Sequence, residues 1–362
     1  MEWMMSSALE SPHAFRRGDP DATPDGQAVL LAGIDGGGTK TTALVADERL
    51  TVLGEGRSGP SNFLRVGVEA AVTAILEALE GACRQAECTP ADLRALGIGL
   101  AGIAHPTHYR RMREALLRAL VEHLAYGARD PQSLQNFVLT TDAEIALYGA
   151  TDGQPGVVIV SGTGSIAYGM NARGQKARSG GWGPTFGDEG SGYDIARRAL
   201  AAVASAYDGR MPPTLLTERV CRYFGIESPA ELPRVIYEDA TSLNIAPLSE
   251  VVIQAAREGD AVAREILREA GLELARTAIA VIKRLRLQQE AFRVSYVGGV
   301  FSAGELILEP IRQKIREVAP KAELNPPLFP PAVGALKLAL ARLGLSDRES
   351  EAARSLPKLG VR

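Results

Sequence analysis

Cysteine and histidine are scarce in this 362-residue chain, which has three cysteines and four histidines. The cysteines, Cys83, Cys88 and Cys221, form no CxxC pair and are too few for a disulfide framework, and the histidines never stand at metal-ligand spacing. The sequence is therefore not that of a disulfide-stapled scaffold, and it carries no cysteine–histidine metal motif. Cysteine usage of this kind predicts a reducing, cytoplasmic location.

Neither sign of charge dominates, since 40 Lys and Arg residues stand against 43 Asp and Glu residues, for a net charge of −3. This balance excludes the basic surface that nucleic acid requires, so nucleic acid is not an expected partner. Long apolar runs are also missing: residues 1–28 lack the apolar segment of a signal peptide, and no later run approaches the length of a membrane span. We expect no membrane partner and a disordered N-terminal tail over residues 1–28.

Aromatic residues make up only 5 % of the chain, whereas glycine, at 38 residues, is more frequent than in an average protein. The glycines show no G-X-Y period and proline is limited to 21 residues, which excludes collagen-like and low-complexity chains. With 46 % hydrophobic residues, the chain has enough apolar material for two domains with sizeable cores. The glycine excess therefore needs a local explanation.

A strand–glycine turn–strand pattern occurs twice. In the first copy, the apolar run at residues 29–35 enters a glycine turn at residues 36–40, and a strand rich in Thr and Val follows at residues 41–47. The second copy, residues 156–169, has its turn at residues 161–165. Two such units, each followed by alternating helices and strands, predict an α/β fold of two lobes with a ligand cleft between them.

The first glycine turn is close to a P-loop in composition. A P-loop, however, has its Lys directly after the last Gly and a helix directly after the loop, whereas here Thr39 precedes Lys40 and a strand follows. The dinucleotide-binding GxGxxG pattern, which opens a helix, is matched no better. We interpret the turn as a hairpin tip without Cβ atoms, where backbone N–H groups and the Thr39 hydroxyl reach a phosphate. A bare β-turn is the alternative for one hairpin, and the second, matching hairpin favours phosphate binding.

Two carboxylates follow strands of the predicted lobes. Asp35 ends the first strand, and Asp142 follows the strand at residues 137–141. In these positions they are candidates to hold a magnesium ion and its waters against bound phosphates. For either residue alone, capping of a turn or a helix is the alternative.

These motifs, in this order, resemble the superfamily of acetate and sugar kinases, Hsp70 and actin, and within it the N-acetylglucosamine kinase and BadF/BadG/BcrA/BcrD ATPase group. The resemblance extends from about Leu30 to Leu343. It implies two actin-like, ribonuclease H-like lobes with a nucleotide cleft between them: residues 29–140 with a C-terminal helix at residues 331–345, and a larger lobe of residues 141–330. It also implies ATP and Mg²⁺ as cofactors and a homodimer as the assembly.

The resemblance further implies which residues contact the nucleotide. The two hairpins match the phosphate loops of this group, and residues 297–300 match its adenosine loop. The nucleotide-binding residues implied in this way are Gly37, Gly38, Thr39, Lys40, Gly162, Thr163, Gly164, Ala256, Gly298 and Gly299.

Two further matches imply an amino sugar as the phosphoryl acceptor. Asn62 is similar to the Asn that hydrogen-bonds sugar hydroxyls, and residues 180–191 are similar to the segment that wraps the hexosamine. The residues of that segment implied to touch the sugar are Gly181, Trp182, Gly183 and Asp188. The implied reaction is ATP-dependent phosphorylation of N-acetylglucosamine, or a related amino sugar, at the 6-hydroxyl. An ordinary core position for Trp182 and a turn for Asn62 are the alternatives.

One position departs from the family pattern. The strand end that usually reads GLxGxD, and presents the acid that deprotonates the acceptor hydroxyl, has Ala104 in place of that acid, with His105 after it. Because loss of a general base costs about 10² to 10⁴ in rate, we expect Asp188 or His105 to take over the proton, with Asp142 as a further catalytic carboxylate. The alternative is that the acceptor is not a hexosamine. For His105, a turn position before Pro106 is the alternative.

Two functions compete with a sugar kinase. The absence of the acid at Ala104 favours a catalytically weak protein that senses sugar and nucleotide. The other is an activator ATPase of the same group, which requires cysteines that hold an iron–sulfur cluster between subunits, and Cys83, Cys88 and Cys221 stand at no such motif.

Overall fold

The first glycine turn joins the first two strands of a five-stranded sheet. The computed structural model describes residues 29–238 and 244–345, so the predicted tail at residues 1–28 lies outside the described residues. The strands of the first sheet are β1 (Leu30–Gly36), β2 (Thr41–Ala46), β3 (Val52–Ser58), β4 (Leu93–Leu100) and β5 (Phe137–Thr141). Their order is β3-β2-β1-β4-β5, with β1, β2 and β3 antiparallel and with β4 and β5 parallel to β1.

The second glycine turn has the same place in a second sheet. The strands of this sheet are β6 (Gly156–Ser161), β7 (Ser165–Met170), β8 (Lys176–Gly180), β9 (Phe292–Val297) and β10 (Ala322–Asn325). Their order is β10-β9-β6-β7-β8, so a hairpin and its third antiparallel strand are again followed by two parallel strands on the other side. The internal repeat seen in the sequence is therefore a repeat of the whole sheet, and the predicted two-lobed α/β fold is confirmed.

Helices cover one face of the first sheet. They are α1 (Phe63–Val66), α2 (Val68–Gln85) and α3 (Pro106–Leu124). The apolar face of α2, which includes Ile75 and Leu79, is fully buried. The helix lies so close to β3 that a Cβ atom at Gly56 would be 2.0 Å from the carbonyl oxygen of Ala78, which explains why this strand carries glycine.

The second lobe has a larger helical part. Helix α4 (Asp142–Thr151) precedes the second sheet in the chain. The helices that follow in the second lobe are α5 (Gly192–Tyr207), α6 (Leu215–Phe224), α7 (Leu232–Glu238), α8 (Leu248–Arg257), α9 (Ala261–Arg284) and α10 (Glu305–Arg316). The long helix α9 is buried along its length against the second sheet and α10. No helix within residues 29–238 and 244–345 is both long enough and apolar enough to cross a membrane.

Two helices connect the lobes. The last helix, α11 (Pro331–Arg342), returns to the first sheet, where Leu336 packs with Leu31 in one apolar cluster. Helix α4 packs on the second sheet through Leu147 and Val158. The two helices touch closely, since a Cβ atom at Gly334 would lie 1.9 Å from the carbonyl oxygen of Ile145. The precise division into residues 29–140 with 331–345 and residues 141–330 stays a prediction.

Candidate active site

The first hairpin has a tight turn at its tip, where the side chains are exposed to solvent. The N–H of Gly37 donates to the carbonyl of Lys40 (3.1 Å), and Thr39 and Lys40 are exposed. The carbonyl of Gly37 also accepts from the N–H groups of Ser61 and Asn62 (3.0 and 3.1 Å). The hairpin is therefore fixed to the segment that carries Asn62.

The second hairpin is held by main-chain and hydroxyl groups. The N–H of Gly162 donates to the carbonyl of Gly164 (3.0 Å), and the Ser161 hydroxyl donates to the carbonyl of Gly190 (2.9 Å). The N–H of Gly192, the first residue of α5, donates to the carbonyl of Gly162 (2.8 Å). Thr163 lies at the tip and is half-buried. Backbone and hydroxyl contacts within the protein thus shape the loop.

Asp188 joins the second hairpin to the predicted sugar segment. Its side chain is buried at 8 % exposure, its φ is 58°, and a Cβ atom at Gly164 would lie 2.7 Å from its Oδ2. Burial raises the pKa of this carboxyl, and the N–H groups of Ser165 and Gly183, which donate to it, oppose that rise. The carboxylate has lone pairs left for a sugar hydroxyl after these two bonds.

Asp35 and Asp142 are brought together at the end of β1 and the start of α4. Burial and the charge of Asp142 raise the pKa of Asp35 to about 7, and Lys40 opposes that rise. Burial also raises the pKa of Asp142, although the N–H of Ala143 donates to its Oδ1 (2.9 Å). Two neighbouring carboxylates that favour protonation lack enough positive charge between them.

This carboxylate pair fits a magnesium ion. Mg²⁺ prefers oxygen ligands and is usually held by one or two carboxylates, with water and substrate phosphates completing its coordination. Among the described residues, no group of three or more His, Cys, Asp or Glu side chains gathers in a way that could hold a metal ion. Asp35 and Asp142 are therefore suited to a metal that arrives with a phosphate ligand.

The predicted adenosine loop lies directly against the second hairpin. Gly298 has φ of 123°, and a Cβ atom there would lie 2.0 Å from the carbonyl oxygen of Ser161, whereas Gly299 faces open space. The Arg257 guanidinium donates to the carbonyl of Ser302 (2.6 Å) and so connects α8 to this loop. The sequence motif pointed to Ala256 and not to Arg257, although Arg257 is the next residue in the chain.

Ala256 itself has no exposed surface. Its side chain is at 0 % exposure in the core of the second lobe, and its carbonyl accepts from the Arg264 side chain (2.9 Å) and from the N–H of Gly259 (3.1 Å). In this structure the exposed neighbour is Arg257, so a direct contact between Ala256 and the nucleotide would need a shift of α8. The role of Ala256 stays a prediction.

Asn62 stands beside the turn that follows β4. It caps α1, and its Oδ1 accepts from the N–H of Leu64 (3.2 Å). A Cβ atom at Gly102 would lie 2.9 Å from this Oδ1. The turn alternative for Asn62 is thus correct as local structure, and the same geometry places the turn that carries the exposed Ala104 next to the predicted sugar residue.

His105 is a helix cap. Its Nδ1 accepts from the N–H of Thr107 (3.3 Å) at the start of α3, and its ring lies 5.3 Å from that of His108. With Nδ1 used in this way, the geometry favours the turn alternative for His105 over proton transfer.

The predicted sugar segment exposes aromatic side chains. Trp182 is 61 % exposed and Phe186 is 74 % exposed, while the Arg178 guanidinium lies over the Trp182 ring at 5.5 Å from its centroid. The N–H of Gly181 donates to the carbonyl of Ser165 (2.9 Å), which ties the segment to the second hairpin. The alternative that Trp182 is an ordinary core residue is wrong, because a core side chain would be buried.

Glu144 is a half-buried residue whose contacts the sequence did not reveal. Its carboxylate accepts from the Thr140 hydroxyl at the end of β5 (2.5 Å) and forms an ion pair with Lys176 on β8. The Tyr168 hydroxyl lies 3.5 Å away. Glu144 thus connects the edge strands of both sheets two residues after Asp142.

The repeated sheet and its paired glycine hairpins are those of the actin-like, two-lobed ATPases and sugar kinases. The chain belongs to the BadF/BadG/BcrA/BcrD ATPase family, whose family model matches residues 32–339. This family implies the use of ATP.

Several named kinases match more than four fifths of the chain. It is 33 % identical, over 81 % of its length and 92 % of the relative's, to N-acetylmuramic acid/N-acetylglucosamine kinase of Clostridium acetobutylicum. It is also 33 % identical, over 86 % of its length and 98 % of the relative's, to N-acetyl-D-glucosamine kinase of Dictyostelium discoideum. A solved putative N-acetylglucosamine kinase of Chromobacterium violaceum matches with a TM-score of 0.68 and 29 % identity, over 86 % of this chain and 99 % of that one.

Proposed function

We propose that this protein is an ATP-dependent kinase that phosphorylates N-acetylglucosamine, or a related amino sugar, at the 6-hydroxyl. The observation that carries the proposal is the carboxylate pair of Asp35 and Asp142 beside the first of two equivalent glycine hairpins, with Asn62 fixed to that same hairpin. The names of the relatives at 33 % identity support the substrate class.

The nucleotide is assigned to the two hairpins and the loop after β9. The backbone of Gly37, Gly38, Gly162 and Gly164 and the hydroxyls of Thr39 and Thr163 bind its phosphates, Lys40 adds a positive charge, and Gly298 and Gly299 border the adenosine. Asp35 and Asp142 hold Mg²⁺, directly or through water. When bound, Mg²⁺ neutralises phosphate charge and so lowers the barrier to transfer.

The sugar is assigned to Asn62 from the first lobe and to the segment of Gly181, Trp182, Gly183 and Asp188 from the second. Asn62 and Asp188 hydrogen-bond hydroxyls, and the exposed Trp182 ring offers an apolar face to the sugar ring. A sugar lacking the matching hydroxyl would leave these polar groups unpaired, which gives strong discrimination.

In the reaction, the sugar oxygen forms a bond to the γ-phosphorus of ATP while the bond from that phosphorus to the leaving oxygen of ADP breaks. Asp188 receives the proton of the hydroxyl, because Ala104 provides no acid and the Nδ1 of His105 is occupied as a helix cap. The raised pKa of Asp188 makes it a better proton acceptor than an ordinary Asp. Its two backbone hydrogen bonds keep it oriented for that step.

The proposal is tested by coupled measurement of ADP release with a panel of hexoses and hexosamines. We expect release that depends on N-acetylglucosamine, and analysis of the product should show a 6-phosphate. Failure of every hexosamine to stimulate ADP release would contradict the proposal.

The exposed Ala104 beside Asn62 favours one second candidate, a sugar and nucleotide sensor with weak catalysis. Under that function both ligands bind while turnover stays at background, and Ala104→Asp raises the rate sharply. If the wild-type enzyme is a competent kinase that uses Asp188, Ala104→Asp changes its rate little. One kinetic comparison of the two proteins therefore separates the candidates.

The assembly and location are proposed as a cytoplasmic homodimer. Cys83, Cys88 and Cys221 are free thiols, which suits a reducing compartment. Light scattering at micromolar concentration would give twice the mass of one chain, and a monomer mass would contradict the dimer.

A further inference from the structure

Arg65 lies at the tip of the first hairpin. A Cβ atom at Gly38 would be 3.6 Å from the Arg65 Nη1, which is ordinary van der Waals contact. The guanidinium therefore covers the glycine that was predicted to approach phosphate.

Arg65 is carried by a segment that the hairpin holds in place. The Thr41 hydroxyl donates to the carbonyl of Gly59 (2.7 Å) and hydrogen-bonds with the Ser61 hydroxyl (2.8 Å). Ser61 and Asn62 in turn donate their N–H groups to the carbonyl of Gly37. The backbone at residues 59–62 thus belongs to the hairpin unit.

Helix α1, which carries Arg65, is also held in place by the packing of Phe63. The N–H of Arg65 donates to the carbonyl of Asn62 (2.9 Å), and the neighbouring Phe63 is buried at 6 % exposure with its ring 5.2 Å from that of His108. Asn62 and Arg65 are therefore presented on one fixed turn. The backbone of Arg65 is thus fixed relative to the backbone of the residue proposed to hold the sugar.

Within the described residues, the charge of Arg65 has no partner. The positive charge of Lys40 acts on Asp35, where it opposes the rise in pKa that burial causes. For the Arg65 guanidinium, by contrast, no hydrogen bond or ion pair is formed with any residue of 29–238 or 244–345. An exposed guanidinium fork over a glycine tip is suited to the paired oxygens of a phosphoryl group.

We propose that Arg65 is a catalytic residue that binds the terminal phosphoryl group of ATP and neutralises the charge on its oxygens during transfer. This rests on the proposed kinase function for its effect on turnover, whereas its effect on nucleotide binding is independent of the sugar. Because phosphoryl transfer depends mainly on positioning and charge neutralisation, a cation beside the hairpin is valuable in a site where Ala104 replaces the acid.

The first test measures binding without catalysis. Affinities for ADP and for AMPPNP, the non-hydrolysable analogue of ATP, are compared by calorimetry at saturating Mg²⁺ in the wild-type protein, Arg65→Met and Arg84→Met. Arg84 is a matched control, because it is an exposed arginine in the last turn of α2 in the same lobe. We expect Arg65→Met to lose about tenfold in affinity for AMPPNP and little for ADP, since only AMPPNP has the terminal phosphoryl group. Equal effects on both nucleotides, or none, would overturn the assignment.

The second test measures turnover. Arg65→Met should lower kcat with N-acetylglucosamine by about 100-fold with little change in its KM, and Arg65→Lys should recover part of the loss because it keeps the charge without the fork. Arg84→Met should match the wild type. A loss confined to sugars that carry a carboxylate, such as N-acetylmuramic acid, would show instead that Arg65 recognises the sugar, and would overturn the proposal. If no sugar is phosphorylated, the kinase function fails while the comparison of ADP with AMPPNP still decides the role of Arg65.

Discussion

The two lobes repeat one strand order but surround their glycine hairpins with different chemistry. Beside the first hairpin lie ionic side chains, Asp35, Lys40 and Arg65. The described contacts of the second hairpin are made by backbone groups, by the Ser161 and Ser165 hydroxyls and by Asp188, whose carboxylate accepts from backbone N–H groups. Under the proposed function, the first lobe would supply charge to the phosphates, while the second would supply a shaped cradle and the contact to the sugar segment.

Removal of the charge in the first lobe should have the largest effect. Asp35→Asn keeps the size of the side chain but takes away a carboxylate of the proposed Mg²⁺ site, so kcat should fall about 10³-fold and the Mg²⁺ concentration for half-maximal rate should rise. Steady-state kinetics over a Mg²⁺ series checks both. Asp208→Asn is the control, because Asp208 is an exposed carboxylate, 52 % accessible and paired with Arg210. Near-normal turnover of Asp35→Asn would contradict the division between the lobes.

Removal of the carboxylate in the second lobe should have a smaller effect. Asp188→Asn should lower kcat by about 10²-fold. Asn tolerates the positive φ at this position, so the backbone is kept. Burial and the charge of Glu189 raise the pKa of Asp188, and the two backbone N–H groups only oppose that rise. As pH falls through this raised pKa, the base is protonated and kcat of the wild type should decline.

This decline of kcat at low pH, the acid limb of the pH profile, distinguishes proton transfer by Asp188 from a structural role. Measured at saturating Mg²⁺, it should disappear in Asp188→Asn, which has no carboxyl to titrate. An unchanged acid limb in the variant would show that Asp188 only shapes the loop and that another group accepts the proton.

The shape of the second lobe is tested by two adjacent glycines. Gly298→Ala places a Cβ atom 2.0 Å from the carbonyl oxygen of Ser161 at φ of 123°, whereas Gly299→Ala meets no atom within 4 Å. We expect Gly298→Ala to lower the free energy of unfolding by about 2 to 3 kcal/mol and to weaken ATP binding. Gly299→Ala should leave stability unchanged. Equal stability of the two variants in thermal unfolding would show that the loop after β9 can move away from the hairpin.

Much of this molecule could be predicted from local sequence patterns. The strands around both hairpins follow the apolar runs of the sequence, helices and strands alternate after each hairpin as predicted, and the ordered glycine motifs indicated the family. Helix α4 was missed because it is buried on nearly all sides, so Ala143 to Thr151 shows no amphipathic period. The short edge strand β8 was missed because Lys176 and Arg178 give it a polar composition.

The parts of the site that the sequence could not reveal are contacts between distant segments. Nothing local in the sequence brings Arg65 to Gly38 or Arg257 to Ser302, because these contacts depend on how the loops pack. The burial of Ala256 also depends on packing: it lies on the core face of α8, whose hydrophobic residues around it are the signal that could have shown this. Position in a motif therefore predicts a segment's place in the site better than it predicts which side chain touches the ligand.

The smallest effect concerns the contact that connects the two lobes. Glu144 pairs with Lys176 on the second sheet and accepts from Thr140 on the first, with side-chain exposures of 15 % for Glu144 and 37 % for Lys176. Because the pair is partly shielded from water, a double-mutant cycle of Glu144→Gln and Lys176→Met should give a coupling free energy of about 1 kcal/mol. Urea unfolding of the four proteins measures it.

A matched pair in the second lobe separates burial from simple ion pairing. Arg222 and Glu218 form an ion pair one helical turn apart on α6, with exposures of 71 % and 72 %. Water and salt screen such a pair, so its coupling should be about 0.3 kcal/mol and should vanish in 1 M salt. The Glu144 pair should keep most of its coupling there. If both couplings are equally small, the Glu144 pair does not hold the lobes together, and the different chemistry of the two hairpins does not depend on this polar contact.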